Sequence, residues 1–193
     1  MGKREEQKKA RRQQLLAIAD SYVSRYGYQD FSVEAITKEA GIAKGTFYNY
    51  FASKEELIRE IARFKFRPLN QTILQKAGTD GALAAIEAYL LEFCQIIERD
   101  GQAHLQSWIA FSLQHTQLEN KWLLDVQVLQ EALEKLDKQE LLKTKHPLLL
   151  AQSLMAPIYG FMLAWASGGI GSLTETCQTY LQQYLAQLLE ETE

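Results

Sequence analysis

The 193-residue chain is 47% hydrophobic and 23% charged with 3 prolines, enough apolar material for a buried core, and its frequent Leu, Ala, Gln, Glu and Lys favour helix over strand throughout. Its net charge of −3 is unevenly spread: residues 1–67 hold 14 Lys/Arg against 9 Asp/Glu and residues 68–193 hold 7 against 15, so a polyanion would dock at the N-terminal end. No uninterrupted apolar run reaches the roughly 18 residues of a membrane span, no apolar segment follows the basic N-terminus as in a signal peptide, and neither Cys94 and Cys177 nor His104, His115 and His146 show ligand spacing; the expectation is a cytoplasmic protein with reduced thiols, no metal site, no cofactor and no membrane partner.

The opening MGKREEQKKARRQQ has six basic residues in its first twelve and hardly any apolar side chain, so it reads as a mobile arm. Leu15, Leu16, Ala19, Tyr22, Val23 and Tyr26 then recur at helical spacing, closed by Gly27. Ser32 is a good N-cap for a second helix, Val33 to about Ala40, with Glu34 in its first turn and Gly41 at its end. A third helix is expected from about Ala43 to Tyr50, and SKEE offers a capping box, Ser53 with Glu56, for a fourth. Two short helices joined by a tight glycine turn read as helix-turn-helix. Pro68 should kink or end the fourth helix, which makes it the domain junction. Beyond it, helical segments are expected at about 69–76, 81–99, 102–114, 119–139, 147–167 and 173–190.

A helical wheel from Ala43 puts Phe47 and Phe51 with Ala43 on one face and Lys44, Gly45, Tyr48 and Asn49 on the other. The phenylalanines anchor the helix. The other face suits a major groove, because lysine reaches guanine O6/N7 or phosphate and asparagine pairs with adenine N6/N7. Of the closing segments, the one at 147–167 is apolar nearly all round, and the last carries Cys177, Tyr180, Leu181, Tyr184, Leu185, Leu188 and Leu189 as one stripe. Such a pair either completes a monomer core or forms a homodimer interface.

The stretch FSVEAITKEAGIAKGTFYNYFASKEEL, Phe31 to Leu57, resembles the DNA-binding domain of the tetracycline-repressor (TetR) family of transcriptional regulators, over about Leu15 to Phe64. The resemblance implies an all-α fold, with an N-terminal three-helix helix-turn-helix domain (1–52 with its basic arm), a connecting helix (53–67) and a larger C-terminal ligand-binding and dimerisation domain (68–193). It implies an Ω-shaped homodimer on a palindromic double-stranded DNA operator, paired through the last two helices, about 147–167 and 173–190. Carried over, Lys44, Gly45 and Thr46 would face bases or nearby backbone, Tyr48 and Lys54 would hold phosphates, and Asn49 would lie close to bases or backbone. Ser32 is a further phosphate candidate. Tyr50 is included among these positions although the wheel turns it inward, and Ala43 stands where family members often have a serine cap.

The function expected is a repressor released by a small, largely apolar effector that pushes the fourth helix. Large side chains of the central helices are the pocket candidates: Tyr89, Phe93, Trp108, Phe111, Trp122, Met155, Tyr159, Met162 and Trp165. Pro157 and Gly160 would let their helix bend around a ligand. The alternative keeps DNA binding but gives the larger domain a protein partner. No nucleophile–base pairing or metal spacing is present, and SGGIGS lacks the preceding strand and following lysine of a phosphate loop, so an enzyme is not expected.

Overall fold

The computed structural model describes residues 2–28, 30–76, 81–114, 121–137 and 146–185. Among these the fold is all-α, without strands. The chain divides into two compact units, Met1–Lys65 with Ala103–Glu119, and Phe66–Gln102 with Asn120–Glu193.

In the first unit, α1 (Lys3–Tyr26) buries Leu15, Leu16, Ala19 and Val23 and ends where Gly27, at φ 76°, donates its N–H to the Val23 carbonyl. The helix begins at Lys3, so the expected arm is helical: Lys, Arg, Gln, Glu and Ala are all good helix formers, and the packed second half of α1 supplies the nucleus from which they extend. α2 (Val33–Glu39) is capped by the Ser32 hydroxyl, which accepts from Ala35 N–H at 3.1 Å. α3 (Lys44–Phe47) is followed by a turn through Tyr50, in which Asn49 and Tyr50 N–H bond back to Thr46 and Phe47 carbonyls. At the start of α4 (Lys54–Lys76) Ser53 Oγ accepts from Glu56 N–H, while the Glu56 carboxylate reaches back to Ala52 N–H, one residue earlier than a strict capping box.

α4 continues through Pro68, merging the two segments expected on either side of it. The proline removes one backbone donor, but the helix is anchored by buried side chains on both sides of it, Ile61 and Phe66 before and Ile73 after, which outweighs that loss. Of the kink or stop expected at Pro68, the stop is therefore corrected. The units change instead between Lys65 and Phe66, within α4, and again within α6 (Gln102–Gln114), whose residues from Ala103 belong to the first unit although the sequence division placed them in the second. There Leu105 and Phe111 are buried, Trp108 packs against the core, and Ser107 Oγ accepts from Tyr28 N–H at 2.7 Å. A Cβ on Gly27 would lie 2.8 Å from that same Ser107 oxygen, so this corner needs glycine for space as well as for its positive φ.

The second unit contains α5 (Ala82–Asp100), α7 (Lys121–Asp137), α8 (Pro147–Ala166) and α9 (Leu173–Tyr184) with the end of α4. α8 packs on α7 and α9, and α9 on α5. The N-terminus of α9 is closed twice, by Ser172 Oγ on Glu175 N–H and by the Glu98 carboxylate of α5 on Leu173 and Thr174 N–H. Cys94 and Cys177, 83 positions apart, meet here as free, buried thiols; the Cys177 thiol lies 3.9 Å from the Leu90 carbonyl, and the hydrogen bond with Cys177 together with burial pushes the Cys94 thiol up.

α8 is long and apolar enough to cross a membrane by length and composition, although Gln152 and Ser153 interrupt its apolar run, and on one side it is an ordinary core helix: Leu150, Ala151, Leu154, Met155, Ile158, Met162, Trp165 and Ala166 are buried. Its other side, Leu149, Ser153, Ala156, Gly160 and Leu163, is exposed and spaced at alternating three and four residues. The stripe expected on α9 also splits. Cys177, Leu181 and Leu185 are buried, whereas Tyr184 is 47% exposed and Tyr180 half-buried; Leu188 and Leu189 lie outside the described residues. Pro157 leaves the Ser153 carbonyl without its usual helical donor, and the Tyr180 hydroxyl approaches that oxygen at 3.4 Å.

Candidate functional site

The outward surface of the helix-turn-helix is set by what holds α3 down. A four-residue helix has no stability of its own. Phe47 and Phe51 are buried with ring centroids 5.6 Å apart, in one core with Leu15, Leu16, Ile36 and Leu57. Around them Lys44, Gly45, Tyr48 and Asn49 are exposed, as the wheel expected, and Thr46 is partly so. Ala43 is exposed too, which corrects its assignment to the buried face: it is the N-cap, with extended φ −70° and ψ 148°, and helical periodicity does not extend to it. Tyr50 is half-buried against the core, and its carbonyl accepts from Arg12 Nε at 3.4 Å.

Gly45 carries information. Its φ is not positive, and a Cβ built on it would meet nothing within 4 Å, so neither backbone strain nor internal packing asks for glycine. Glycine inside a helix costs about 0.5–1 kcal/mol relative to alanine. A position that accepts this cost with open space outside it suits the close approach of another molecule's backbone.

Two of the cations on this surface are paired within the protein. Lys44 pairs with Glu34 of α2, raising the lysine and lowering the carboxylate through a hydrogen bond and their mutual attraction. Arg25 pairs with Glu39. Lys54 sits with its ammonium 5.7 Å from the ring centres of both Phe31 and Phe111. Ser32 is half-buried at the start of α2, its oxygen accepting from Ala35 and its own proton free to be donated.

Arg12, which the sequence reading left in the arm, is a fixed part of this unit. Its guanidinium stands 4.6 Å over Phe51, bonds Glu60 at 2.9 Å and lies 3.5 Å from Glu56. Partial burial works against the Glu60 charge, but the Arg12 and Arg63 hydrogen bonds win and hold its carboxyl below the usual range. Arg12 thereby ties α1 to the turn after α3 and to α4. Arg12→Ala is expected to lower the stability of this unit by about 1–2 kcal/mol, discounted for its partial exposure. The loss should shrink in acid as pH falls through the depressed Glu60 value, because the paired carboxylate contributes only while ionised. Urea melts at neutral and acid pH measure both.

The pocket candidates separate into two groups. Phe111 belongs to the core of the first unit and Trp108 packs against it. In the second unit Tyr89, Phe93, Met155, Met162 and Trp165 are buried, and Trp122 and Tyr159 meet edge to face at 5.1 Å. Their neighbourhood is more polar than the sequence suggested. Asp125, 2% exposed, pairs with Lys121 and accepts from the Tyr159 hydroxyl at 2.6 Å, and the Tyr89 hydroxyl meets Asn70 Oδ1 at 3.3 Å. Burial first, and the Asp125 charge second, push both phenols up. The i,i+4 spacing of Lys121 and Asp125 is visible in the sequence; their burial is not. An open groove of about 480 Å³ lies elsewhere in this unit, between Pro157 and Phe161 of α8 and Thr176, Thr179, Tyr180, Gln183 and Tyr184 on the α9 side. Among the described residues no cluster of His, Cys, Asp or Glu could hold a metal.

Residues 15–61 match the family model described as bacterial regulatory proteins, tetR family. Among curated relatives the chain is 26% identical over 181 residues to the HTH-type transcriptional regulator BetI of Vibrio campbellii, covering 91% of this chain and 90% of that protein. It is 30% identical over 84 residues to the fatty acid metabolism regulator protein of Bacillus subtilis, a match spanning 42% of this chain and less than half, 43%, of that regulator. The fold is that of SmeT, the repressor of the Stenotrophomonas maltophilia multidrug efflux pump SmeDEF, at a TM-score of 0.69 and 20% identity over 94% of this chain and 91% of SmeT. SmeT also has a structure in complex with triclosan. With its helix-turn-helix surface and this match, residues 15–61 form a domain of the tetR family of bacterial regulatory proteins, and the chain as a whole is similar to regulators that carry it.

Proposed function

We propose that this regulator binds a palindromic DNA operator as a homodimer and represses transcription until a small molecule enters the second unit. The observation that carries the DNA side is the surface around Gly45: a glycine that nothing inside the protein requires, flanked by exposed Lys44, Tyr48 and Asn49 on a helix anchored by Phe47. Asn49 and Lys44 would read base edges or adjacent backbone, with Gly45 and Thr46 close to the strand. Tyr48, Lys54, the Ser32 hydroxyl and, less directly, the half-buried Tyr50 would position phosphates. Lys44 must exchange Glu34 for DNA, and the pair is exposed enough to do so cheaply.

The dimer is proposed to form on the exposed stripe of α8, Leu149 to Leu163, together with Tyr180 and Tyr184 of α9. Small residues at its centre, Ala156 and Gly160, would let two copies approach closely, and a self-complementary patch is what a two-fold pair uses. Two recognition helices held about 34–36 Å apart would enter successive major grooves. α4 runs through the division between the units, so it can carry a displacement from one to the other as a continuous backbone. The triclosan complex of SmeT supports a small-molecule effector here, and the aromatic interior around Tyr89, Phe93, Trp122 and Tyr159 is where it would bind. The protein acts in the cytoplasm, with the DNA.

Selection of bound duplexes from a random pool tests the DNA reading. A recovered palindrome with half-sites one helical turn apart is expected, and Asn49→Ala should relax the consensus at one position per half-site. Lys54→Ala should weaken all sequences alike and flatten the logarithmic salt dependence by about one unit per protomer. A pool that returns no enriched motif would remove the proposal.

A further inference from the structure

The Lys121 ammonium occupies a receptacle that its own helix supplies only in part. It lies 4.1 Å from the ring centre of Phe66 on α4 and 5.1 Å from that of Phe93 on α5, and it donates to Asp125 on α7. Asp125 is in turn fixed by the Tyr159 hydroxyl of α8 at 2.6 Å. Two aromatic faces and an oriented, buried carboxylate, drawn from four helices, make a box for a cation. The lysine that fills it is the first residue of α7, and its side chain keeps 14% exposure against 3% for Asp125, so the occupant has a way out that the carboxylate lacks.

We propose that this box is a ligand site for an organic ammonium ion, with Lys121 as the resident occupant that the ligand displaces. The inference rests on the reading that the second unit holds a small-molecule effector, and it replaces a purely apolar effector by one with a cationic head and an apolar body. The close contact with Asp125 is a hydrogen bond, so the head must carry N–H donors, as a primary or secondary ammonium does and a quaternary one does not. The apolar body follows the path of the four lysine methylenes. Burial lowers the Lys121 pKa, and Asp125 only partly restores it; the ammonium gains solvation when it swings out and so is exchangeable. While Lys121 is seated the site is closed, and the apparent affinity of any ligand falls by the fraction of time it stands open.

Calorimetric titration of the full chain with n-hexylammonium and with its neutral analogue 1-hexanol tests this. Wild type should bind hexylammonium weakly, Lys121→Ala at least about tenfold more tightly, and Lys121→Ala/Asp125→Asn no more tightly than it binds hexanol. Equal gains for hexanol and hexylammonium in Lys121→Ala overturn the cation site while leaving an apolar effector site standing. No binding of either probe to any variant overturns the cation site and counts against the effector reading as well. A readout on the unsubstituted protein guards against misfolding: saturating hexylammonium, which also consumes acetylating reagent, should raise the acetylation of Lys121 several-fold relative to the exposed Lys44 in the same sample, measured by mass spectrometry, and an unchanged ratio overturns the displacement.

Discussion

Phe47→Ala is expected to destabilise the first unit by about 3–5 kcal/mol, and DNA binding should disappear with it. The side chain is completely buried, with its ring centre 5.6 Å from that of Phe51 and 5.3 Å from that of Tyr48. α3 has four residues and no side-chain N-cap, so it contributes little to its own formation and is held chiefly by the buried Phe47 and Phe51. Removing the ring leaves a cavity among Leu15, Leu16, Ile36 and Leu57 and detaches the surface that carries Lys44 and Asn49. Tyr48→Ala, one residue on, removes a side chain that is 49% exposed and should cost stability within about 0.5 kcal/mol while still weakening DNA binding. Trp108 packs against this core, and its fluorescence in a Trp122→Phe/Trp165→Phe background reports this unit in urea. A loss below 1 kcal/mol for Phe47→Ala would mean that α3 has another anchor.

The contrast between these neighbours explains why the helix-turn-helix was legible in sequence. Phe47 and Phe51 are four apart, Ser32 precedes an apolar-periodic run, and Gly27 and Gly41 mark ends that they do in fact close, with φ 76° and 63°. Such signals are local. Where the reading failed, a tertiary contact overrode a local rule. Pro68 is a helix breaker by propensity, yet α4 continues because buried side chains anchor it before and after the proline. The arm looked unanchored because Arg12 finds Glu60 across 48 residues. Ala43 was misplaced because a wheel assumes helical dihedrals before the helix has begun.

The second unit was less legible for the same reason. Its helices appeared at close to the expected positions, but periodicity does not say which side of an all-round apolar helix is covered. The α9 stripe turned out to be two faces, with Cys177 and Leu181 inward and Tyr184 outward. Trp108 and Phe111 were grouped with the pocket aromatics because they lie beyond Pro68 in sequence, whereas α6 returns them to the first unit. The Lys121–Asp125 pair had the i,i+4 spacing of countless solvent-exposed helix pairs. Only the arrival of Phe66, Phe93 and Tyr159 from other helices makes it a buried pair.

That burial sets the size of the remaining effect. Asp125→Ala is expected to destabilise the second unit by about 3–5 kcal/mol as long as Lys121 stays seated, because it leaves the ammonium among aromatic rings without a counter-charge and the Tyr159 hydroxyl without its acceptor. The pair itself is not worth that much. Replacing both members by apolar residues, as in Lys121→Met/Asp125→Leu, should recover most of the loss, since no charge then needs desolvating. The single variant should also respond to pH in a defined direction. The Lys121 pKa is lowered in the folded protein by burial, and Asp125 is the group that opposes this, so its removal lowers the value further below 10.5. Between the folded value and 10.5 the unfolded chain binds the extra proton, and stability therefore rises with pH across that window. Asp125→Ala should thus gain more than wild type on moving from pH 7 toward pH 9.5. Measurements belong below pH 10, because Tyr89 and Tyr159, both raised when folded, would withdraw stability above it as their unfolded phenols ionise. Thermal melts of the three proteins at the two pH values decide the matter: a single variant with no alkaline gain, or a double variant as unstable as the single, would mean that the Lys121 charge is already solvated and that the box around it is open to water.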